Sequence, residues 1–209
     1  MIKIVIETMA YEYNELSEKA KEKAFEDWVR NEGHIEVDQI NKEHQDTLNA
    51  FLWMFDIGID YWVEKSAYDF NFIWCDNVAD FSKNGGALRF ARWAWNHIAD
   101  KIRNGEYYGL FYGGTNLKHF RRYSKNKRLN DLCLTGVYCD SDILKPIMDC
   151  LTYKKYFYSF KELMYACLDN FFKVWHKDLK YISSKDCFEK NYAKDYYYLE
   201  DGTYFQEAN

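Results

Sequence analysis

The sequence predicts one α+β domain over residues 1–209, with several helices packed on a small, mainly antiparallel sheet. Three observations support this fold class. Segments with apolar residues at helical spacing alternate with short segments in which apolar and polar residues alternate strictly. Aromatic residues make up 20% of the 209 residues, which supplies ample apolar area for a core. No repeat, low-complexity tract or Pro/Ser-rich linker divides the chain.

A strand and two helices are predicted for the first quarter of the chain. Residues 2–9 are rich in Ile and Val and predict a strand. Ser17 is a favourable N-cap for a helix that stops at Asn31–Gly33, and a second helix covers Val37–Phe55. The apolar stripes are Ala20, Ala24, Phe25, Trp28 and Val29 in the first helix, and Ile40, Leu48, Phe51, Leu52 and Phe55 in the second.

A hairpin and a third helix are predicted next. Apolar and polar residues alternate over Ile59–Val63 and again over Tyr68–Trp74, which is typical of two paired strands. Apolar residues then recur at helical spacing from Ala87 to Arg103. Residues 107–112 and 132–137 are consistent with further short strands on either side of a basic run.

Two helices follow the basic run. Asp140 or Ser141 can cap the first, which would carry Pro146 in or near its first turn, where a proline is tolerated. Ser159–Glu162 has the S-x-x-E pattern of a capping box and begins the clearest helix of the chain. The stripe of that helix is Phe160, Leu163, Met164, Cys167, Leu168, Phe171, Phe172, Trp175 and Leu179.

The last predicted elements are a short helix and a hairpin. Ser184 can cap the helix. Residues 196–205 are rich in tyrosine and predict a hairpin with Asp201–Gly202 in its turn.

Charge is distributed unevenly along the chain, although the net charge is only −5. Residues 1–82 hold 18 Asp and Glu against 7 Lys and Arg, whereas the basic segment 83–128 holds 11 Lys and Arg against 2 acidic residues. Lys and Arg neutralise phosphates, and interleaved aromatics offer faces on which unpaired bases stack. The predicted binding residues are Lys118, Phe120, Arg121, Arg122, Tyr123, Lys125, Lys127 and Arg128.

Each charged region allows a second interpretation. The basic segment can pair with the acidic first third of the same chain instead of binding RNA. The acidic third can present a phosphate-like surface to the basic groove of a nucleic-acid enzyme, or it can consist of ordinary solvated helix faces.

The sequence holds no complete catalytic or metal motif, so we expect no enzyme, no metal and no cofactor. His97 and Asp100 are spaced as a possible acid/base pair on one helix turn. Asp140–Asp142 and Asp56-x-Gly-x-Asp60 each hold two carboxylates suited to a hard cation, although helix capping explains the first. Cys133 and Cys139 give a weak metal hypothesis, and buried small side chains in a reducing compartment explain the six cysteines better.

The apolar segments are short. The N-terminal run is too short for the core of a signal peptide, and Ala50–Phe55 is far too short to span a bilayer. The sequence therefore predicts a soluble, cytoplasmic protein without a membrane partner.

Two segments resemble a broad set of uncharacterised bacteriophage and mobile-element proteins. Tyr13–Ala24, followed by Trp28, resembles their E-L-S-x-x-A-K-x-K-A opening motif, and Leu179–Tyr204 resembles their aromatic, E-D-G-containing C-terminal hairpin. These motifs are a capped helix and a turn, so the resemblance transfers no catalytic residue.

The resemblance implies a phage accessory protein in the cytoplasm of a bacterial host. Small proteins of that kind include anti-CRISPR proteins, whose partners are a host defence nuclease (the CRISPR effector) and/or its guide RNA. Two alternatives stay open: an antitoxin-like repressor that binds duplex DNA, and a small enzyme whose site is assembled from distant residues.

Overall fold

The computed structural model describes residues 9–75, 88–103, 134–153 and 159–205. Helices and a small antiparallel sheet are both present, so the α+β prediction is confirmed. Among the helices that the structure describes, none is both long and apolar enough to cross a bilayer. The strand predicted at 107–112, and all of the strand predicted at 2–9 except residue 9, lie outside the described residues. The strand predicted at 132–137 is wrong over residues 134–137, which form a bend because the backbone N–H groups of 134–136 bond to the Asp140 carboxylate. The described elements are α1 (Glu18–Asn31), α2 (Gly33–Phe55), β1 (Gly58–Val63), β2 (Tyr68–Trp74), α3 (Leu88–Arg103), α4 (Cys139–Tyr153), α5 (Phe160–Ile182) and α6 (Lys185–Asn191).

The chain divides into two compact units. The first takes in residues up to Ile40 and from Asp178 onward, and the second takes in Asn41–Lys177. The single domain over residues 1–209 stays a prediction.

Three helices begin at the serine caps that the sequence predicts. In each case the serine Oγ accepts a hydrogen bond from the backbone N–H three residues later, which satisfies one of the donors that a helix N-terminus leaves unpaired. The pairs are Ser17 with Ala20 at 3.2 Å, Ser159 with Glu162 at 3.1 Å, and Ser184 with Cys187 at 3.2 Å. By contrast α2 begins at Gly33, earlier than predicted, because Ile35 N–H already bonds to the Glu32 carbonyl.

The core of the first unit lies against α1. Ala24 and Trp28 are buried there together with Phe188 and Tyr198. The Trp28 and Phe188 rings lie 5.3 Å apart between centroids. Val29 is 43% exposed, so the buried stripe of α1 is narrower than the predicted one.

The C-terminal segment of the first unit is held by single-residue bridges. Tyr198 pairs on one side with Tyr11 and on the other with Tyr204, so the predicted hairpin is present in a reduced form. Its turn is closed at Gly202, whose φ is +90°. A Cβ at this position would lie 2.1 Å from the Ala20 carbonyl oxygen, so only glycine fits.

The core of the second unit follows the predicted stripe of α5. Every predicted stripe residue is buried, and Phe171 and Phe172 are fully so. Cys139, Cys150 and Cys167 are buried thiols, as is Cys187 in the first unit, whereas Cys133 lies outside the described residues. Burial raises the pKa of the Cys150 and Cys167 thiols, which fits their role as small apolar side chains.

Pro146 lies in the interior of α4, so its predicted place in or near the first turn is wrong. The helix begins at Cys139, which leaves the proline where its missing N–H matters. That N–H would have bonded to the carbonyl four residues earlier, at Asp142. Asn170 of α5 takes over this role, because its Nδ2 donates to the Asp142 oxygen at 2.7 Å.

Candidate functional site

The binding residues predicted in the basic segment lie outside the described residues. They are Lys118, Phe120, Arg121, Arg122, Tyr123, Lys125, Lys127 and Arg128. From the segment 83–128 the structure describes only α3. The role of these eight residues therefore stays a prediction.

His97 has a structural contact within the second unit. One ring nitrogen, Nε2, lies 2.9 Å from the Met54 carbonyl oxygen and therefore acts as the donor. The ring also stacks on Trp93 at 4.9 Å between centroids. In the neutral ring this contact assigns the proton to Nε2 and leaves the lone pair on Nδ1, so the His97–Asp100 acid/base pair stays a prediction.

The Asp140 carboxylate accepts hydrogen bonds from the backbone and from two threonines. Asp140 is fully buried, and its carboxylate accepts the N–H groups of residues 134–136 at 2.8–2.9 Å. The hydroxyls of Thr135 and Thr47 also donate to it, at 2.7 and 3.2 Å. Burial raises the pKa of Asp140, while these hydrogen bonds act in the opposite direction. Across the described residues no group of three or more His, Cys, Asp or Glu is placed to hold a metal ion.

The β1–β2 hairpin has an aromatic inner face that packs on α5. Tyr61 and Phe70 are direct partners in the register, and each ring lies 5.2 Å from the Phe172 ring. Tyr165 adds a second contact, 4.9 Å from Phe70. These contacts bury apolar area and fix the orientation of the hairpin within the second unit.

Polar bonds at the rim of this contact fix the hairpin further. They are Tyr61 Oη to Gln45 Oε1 at 2.6 Å, Tyr68 Oη to Asp169 Oδ1 at 3.3 Å, and His176 Nδ1 to the Glu64 carbonyl at 2.8 Å. Burial and the nearby Asp169 carboxylate raise the pKa of Tyr68, so this hydroxyl keeps its proton. Sequence reasoning missed the edge of α5 that meets the hairpin. Its signal was a second helical period over Tyr165, Asp169, Phe172 and His176.

The opposite side of the hairpin, here called the outer hairpin face, consists of Asp60, Trp62, Asp69, Asn71 and Ile73. All five side chains are exposed. Trp62 is directly opposite Asp69 and Asp60 is directly opposite Asn71, so the Cβ atoms of each pair are about 5 Å apart. Trp62 is 48% exposed and Ile73 62% exposed, although large apolar side chains are usually buried. The outer hairpin face therefore places a large ring between two carboxylates.

The charges of the outer hairpin face are not neutralised by the described parts of the chain. Over residues 9–75, 88–103, 134–153 and 159–205, neither Asp60 nor Asp69 forms an ion pair, and no Lys or Arg lies over Trp62. Trp53 differs, since the Lys101 ammonium lies 5.6 Å from its ring centroid. Asp60 and Asp69 are thus two carboxylates of the acidic first third that the hairpin exposes.

A cleft of about 220 Å³ is present in the first unit. The Tyr13 hydroxyl donates to Glu189 at 2.9 Å, and the Tyr196 hydroxyl donates to Glu32. The bond to Glu32, together with burial, raises the pKa of Tyr196 to about 12, so it is no base at neutral pH. The volume is below the roughly 300 Å³ at which small-molecule pockets begin. The lining residues are Glu12, Tyr13, Asn14, Lys194, Tyr196 and Tyr197.

Comparison with known proteins adds no relative. No family model, no curated protein and no solved structure matches the chain. The chemistry of the outer hairpin face and the motifs of the sequence therefore have to support the functional hypothesis.

Proposed function

We propose that this chain is a non-enzymatic phage or mobile-element accessory protein that inhibits a host nuclease-based defence complex, as anti-CRISPR proteins do. It binds the effector protein and/or its guide RNA. The observation that carries the proposal is the outer hairpin face, an exposed tryptophan between carboxylates that the described parts of the chain leave unpaired. The resemblance of Tyr13–Ala24 to phage proteins supplies the biological setting.

The electrostatic step is complementarity to a basic surface. A nuclease binds the phosphates of nucleic acid with Lys and Arg, and an acidic protein surface is attracted to the same groups. Within the second unit, residues 41–75 hold 6 Asp and Glu against 2 Lys and Arg, so the charge of this segment favours such an encounter. Because the inner face is fixed on α5, Asp60 and Asp69 are presented without first being ordered, which lowers the entropic cost of binding.

The apolar step is an anchor. Tryptophan is enriched among the interface residues that contribute most to binding, and it acts when neighbouring contacts exclude water from it. Trp62 is exposed in this way, and Ile73 on the neighbouring strand of the same face is a second apolar side chain that a partner could cover. Charge brings the partner to the hairpin, and burial of Trp62 holds it there.

The test is protection of a target plasmid in a bacterial host. The chain is co-expressed with the host's RNA-guided nuclease complex, and plasmid survival is counted with and without the chain. We expect wild type to restore survival and the double variant Asp60→Asn/Asp69→Asn to lose most of this effect. Asp195→Asn/Glu200→Gln is the matched control, because both carboxylates are exposed and the change in net charge is the same.

Three outcomes are decisive. Full plasmid loss with the wild-type chain across the nuclease complexes of the host overturns the proposed function. Equal protection by Asp60→Asn/Asp69→Asn removes the outer hairpin face from the interface. Tight binding of purified chain to duplex DNA, with no effect on the nuclease, favours the repressor alternative.

The contribution of guide RNA rests on the basic segment. Reversing charge at Arg121, Arg122 and Arg128 should abolish salt-dependent binding to short single-stranded RNA while the far-UV spectrum stays unchanged. No binding by the wild-type chain at low salt would remove RNA from the proposal and leave the effector protein as the partner.

A further inference from the structure

We infer that the outer hairpin face is a binding site for an arginine side chain of the partner, stacked on Trp62 and paired with Asp69. The inference deepens the proposed function, and it rests on that function for the identity of the partner. It starts from the register, which sets Trp62 directly opposite Asp69 on one face of the hairpin. A flat ring and a carboxylate about 5 Å apart at Cβ form a two-part receptor.

Cations already lie over aromatic rings elsewhere in the second unit. Lys101 lies over Trp53 at 5.6 Å, and Lys161 lies over Phe72 at 5.5 Å. Trp62 is exposed to a similar degree as Trp53, yet no Lys or Arg of the described residues lies over it. Within the described residues, the Trp62 ring, which has carboxylates on both strands beside it, is therefore available to a cation from outside.

Arginine fits this receptor better than lysine. Its guanidinium is planar, so one face can stack on the indole while the edge donates two parallel hydrogen bonds to a carboxylate. A lysine ammonium is a compact, strongly hydrated charge that cannot stack and pair in this way. Asp60, two residues from Trp62 on the same strand, adds a second carboxylate about 7 Å away and strengthens the attraction.

The partner surface follows from this preference. Arginine is favoured wherever planar, bidentate contact with phosphate is needed, so the groove in which a nuclease holds nucleic acid supplies suitable side chains. A carboxylate can engage the same donors that a phosphate would. An arginine that is bound by Trp62 and Asp69 cannot bind a phosphate at the same time, so the hairpin competes with nucleic acid for this side chain.

The test compares an arginine–glycine peptide with the lysine–glycine peptide of equal length and charge. Both are titrated into the full chain at the same ionic strength, with calorimetry and the indole N–H signals of an NMR spectrum as readouts. We expect the arginine peptide to bind about two- to fivefold more tightly, because only a guanidinium can stack on Trp62 and form a bidentate pair with Asp69 at the same time. Trp62→Leu and Asp69→Asn should each reduce the preference towards one.

The matched control is Trp53→Leu, which removes a tryptophan that is somewhat more exposed than Trp62 but already has Lys101 over its ring, and it should leave the preference unchanged. Equal binding of the two peptides by wild type, or a preference that survives Trp62→Leu, overturns the inference. Plasmid protection without an arginine preference rejects the inference and keeps the proposed function. An arginine preference without plasmid protection keeps the inference and rejects the proposed function.

Discussion

The bond between Asn170 and the Asp142 carbonyl gives the most direct test of how α4 tolerates its proline. Asn170→Ala removes a side-chain donor that lies 2.7 Å from this oxygen and stands in place of the absent Pro146 N–H. A buried or half-buried carbonyl without a partner costs about 1–3 kcal/mol. We therefore expect the free energy of unfolding to fall by about 2 kcal/mol.

The companion change, Pro146→Ala, restores an N–H opposite the Asp142 oxygen. In that background the helix satisfies its own carbonyl, so Asn170→Ala should cost less than about 1 kcal/mol. The double-mutant cycle then gives a coupling of about 1–2 kcal/mol. Each substitution also loses packing contacts, but this loss is the same whether or not the other substitution is present, so it cancels from the coupling energy.

Urea unfolding followed by far-UV circular dichroism supplies the measurement, provided the slope m is unchanged between variants. Asn191→Ala is the control, because its Nδ2 also donates to a backbone carbonyl, that of Cys187 at 3.0 Å, which has no connection with the proline. Asn191→Ala should lower the free energy of unfolding by the same amount in the wild-type and Pro146→Ala backgrounds. An equal loss of stability on Asn170→Ala with and without Pro146 would refute the idea that Asn170 replaces the missing Pro146 N–H.

Three further outcomes concern the described structure. Asp140→Asn should lower the free energy of unfolding by about 1.5–3 kcal/mol in urea titration, because one amide oxygen cannot replace both carboxylate oxygens, so either the N–H groups at Oδ2 or the threonine hydroxyls at Oδ1 lose their acceptor. Gly202→Ala should lower the thermal midpoint through a cost of at least about 1–3 kcal/mol, since φ is +90° and its Cβ meets Ala20; an unchanged midpoint would contradict the turn geometry. The pKa of Tyr196 is raised from 10.0 to about 12 in the folded chain, so its contribution to stability is complete below pH 10 and disappears as pH rises towards 12. Tyr196→Phe should flatten the fall in urea midpoint over that pH range, and an identical pH profile would show that the bond to Glu32 contributes nothing.

The elements that the sequence predicts well are those fixed by neighbouring residues. The caps at Ser17, Ser159 and Ser184 join a side chain to a backbone group three residues away, so the pattern contains both partners. The hairpin register follows from the alternation over residues 59–74, because a slip of one position would expose Tyr61 and Phe70 and bury Trp62.

What the sequence could not predict joins residues far apart in the chain. Asn170 and Asp142 are 28 positions apart, and nothing local marks this asparagine as the partner of a proline-deprived carbonyl. Asp140 was expected to be a helix cap or a cation ligand, and its real partners include Thr47, 93 positions away. The outer hairpin face is an intermediate case: alternation predicts two faces, but only the packing of α5 shows which face is covered.

The first unit is built from two segments that the whole second unit separates in the sequence, and this has a consequence for biosynthesis. Trp28 and Ala24 of α1 leave the ribosome before the second unit is made, whereas Phe188 and Tyr198, which cover them, are made after it. The residues of the second unit are complete in between, so this unit can fold while α1 still exposes its apolar face. A nascent chain stalled before residue 188 would present that face to chaperones and proteases, which makes translation through α6 the step that protects the N-terminal helix.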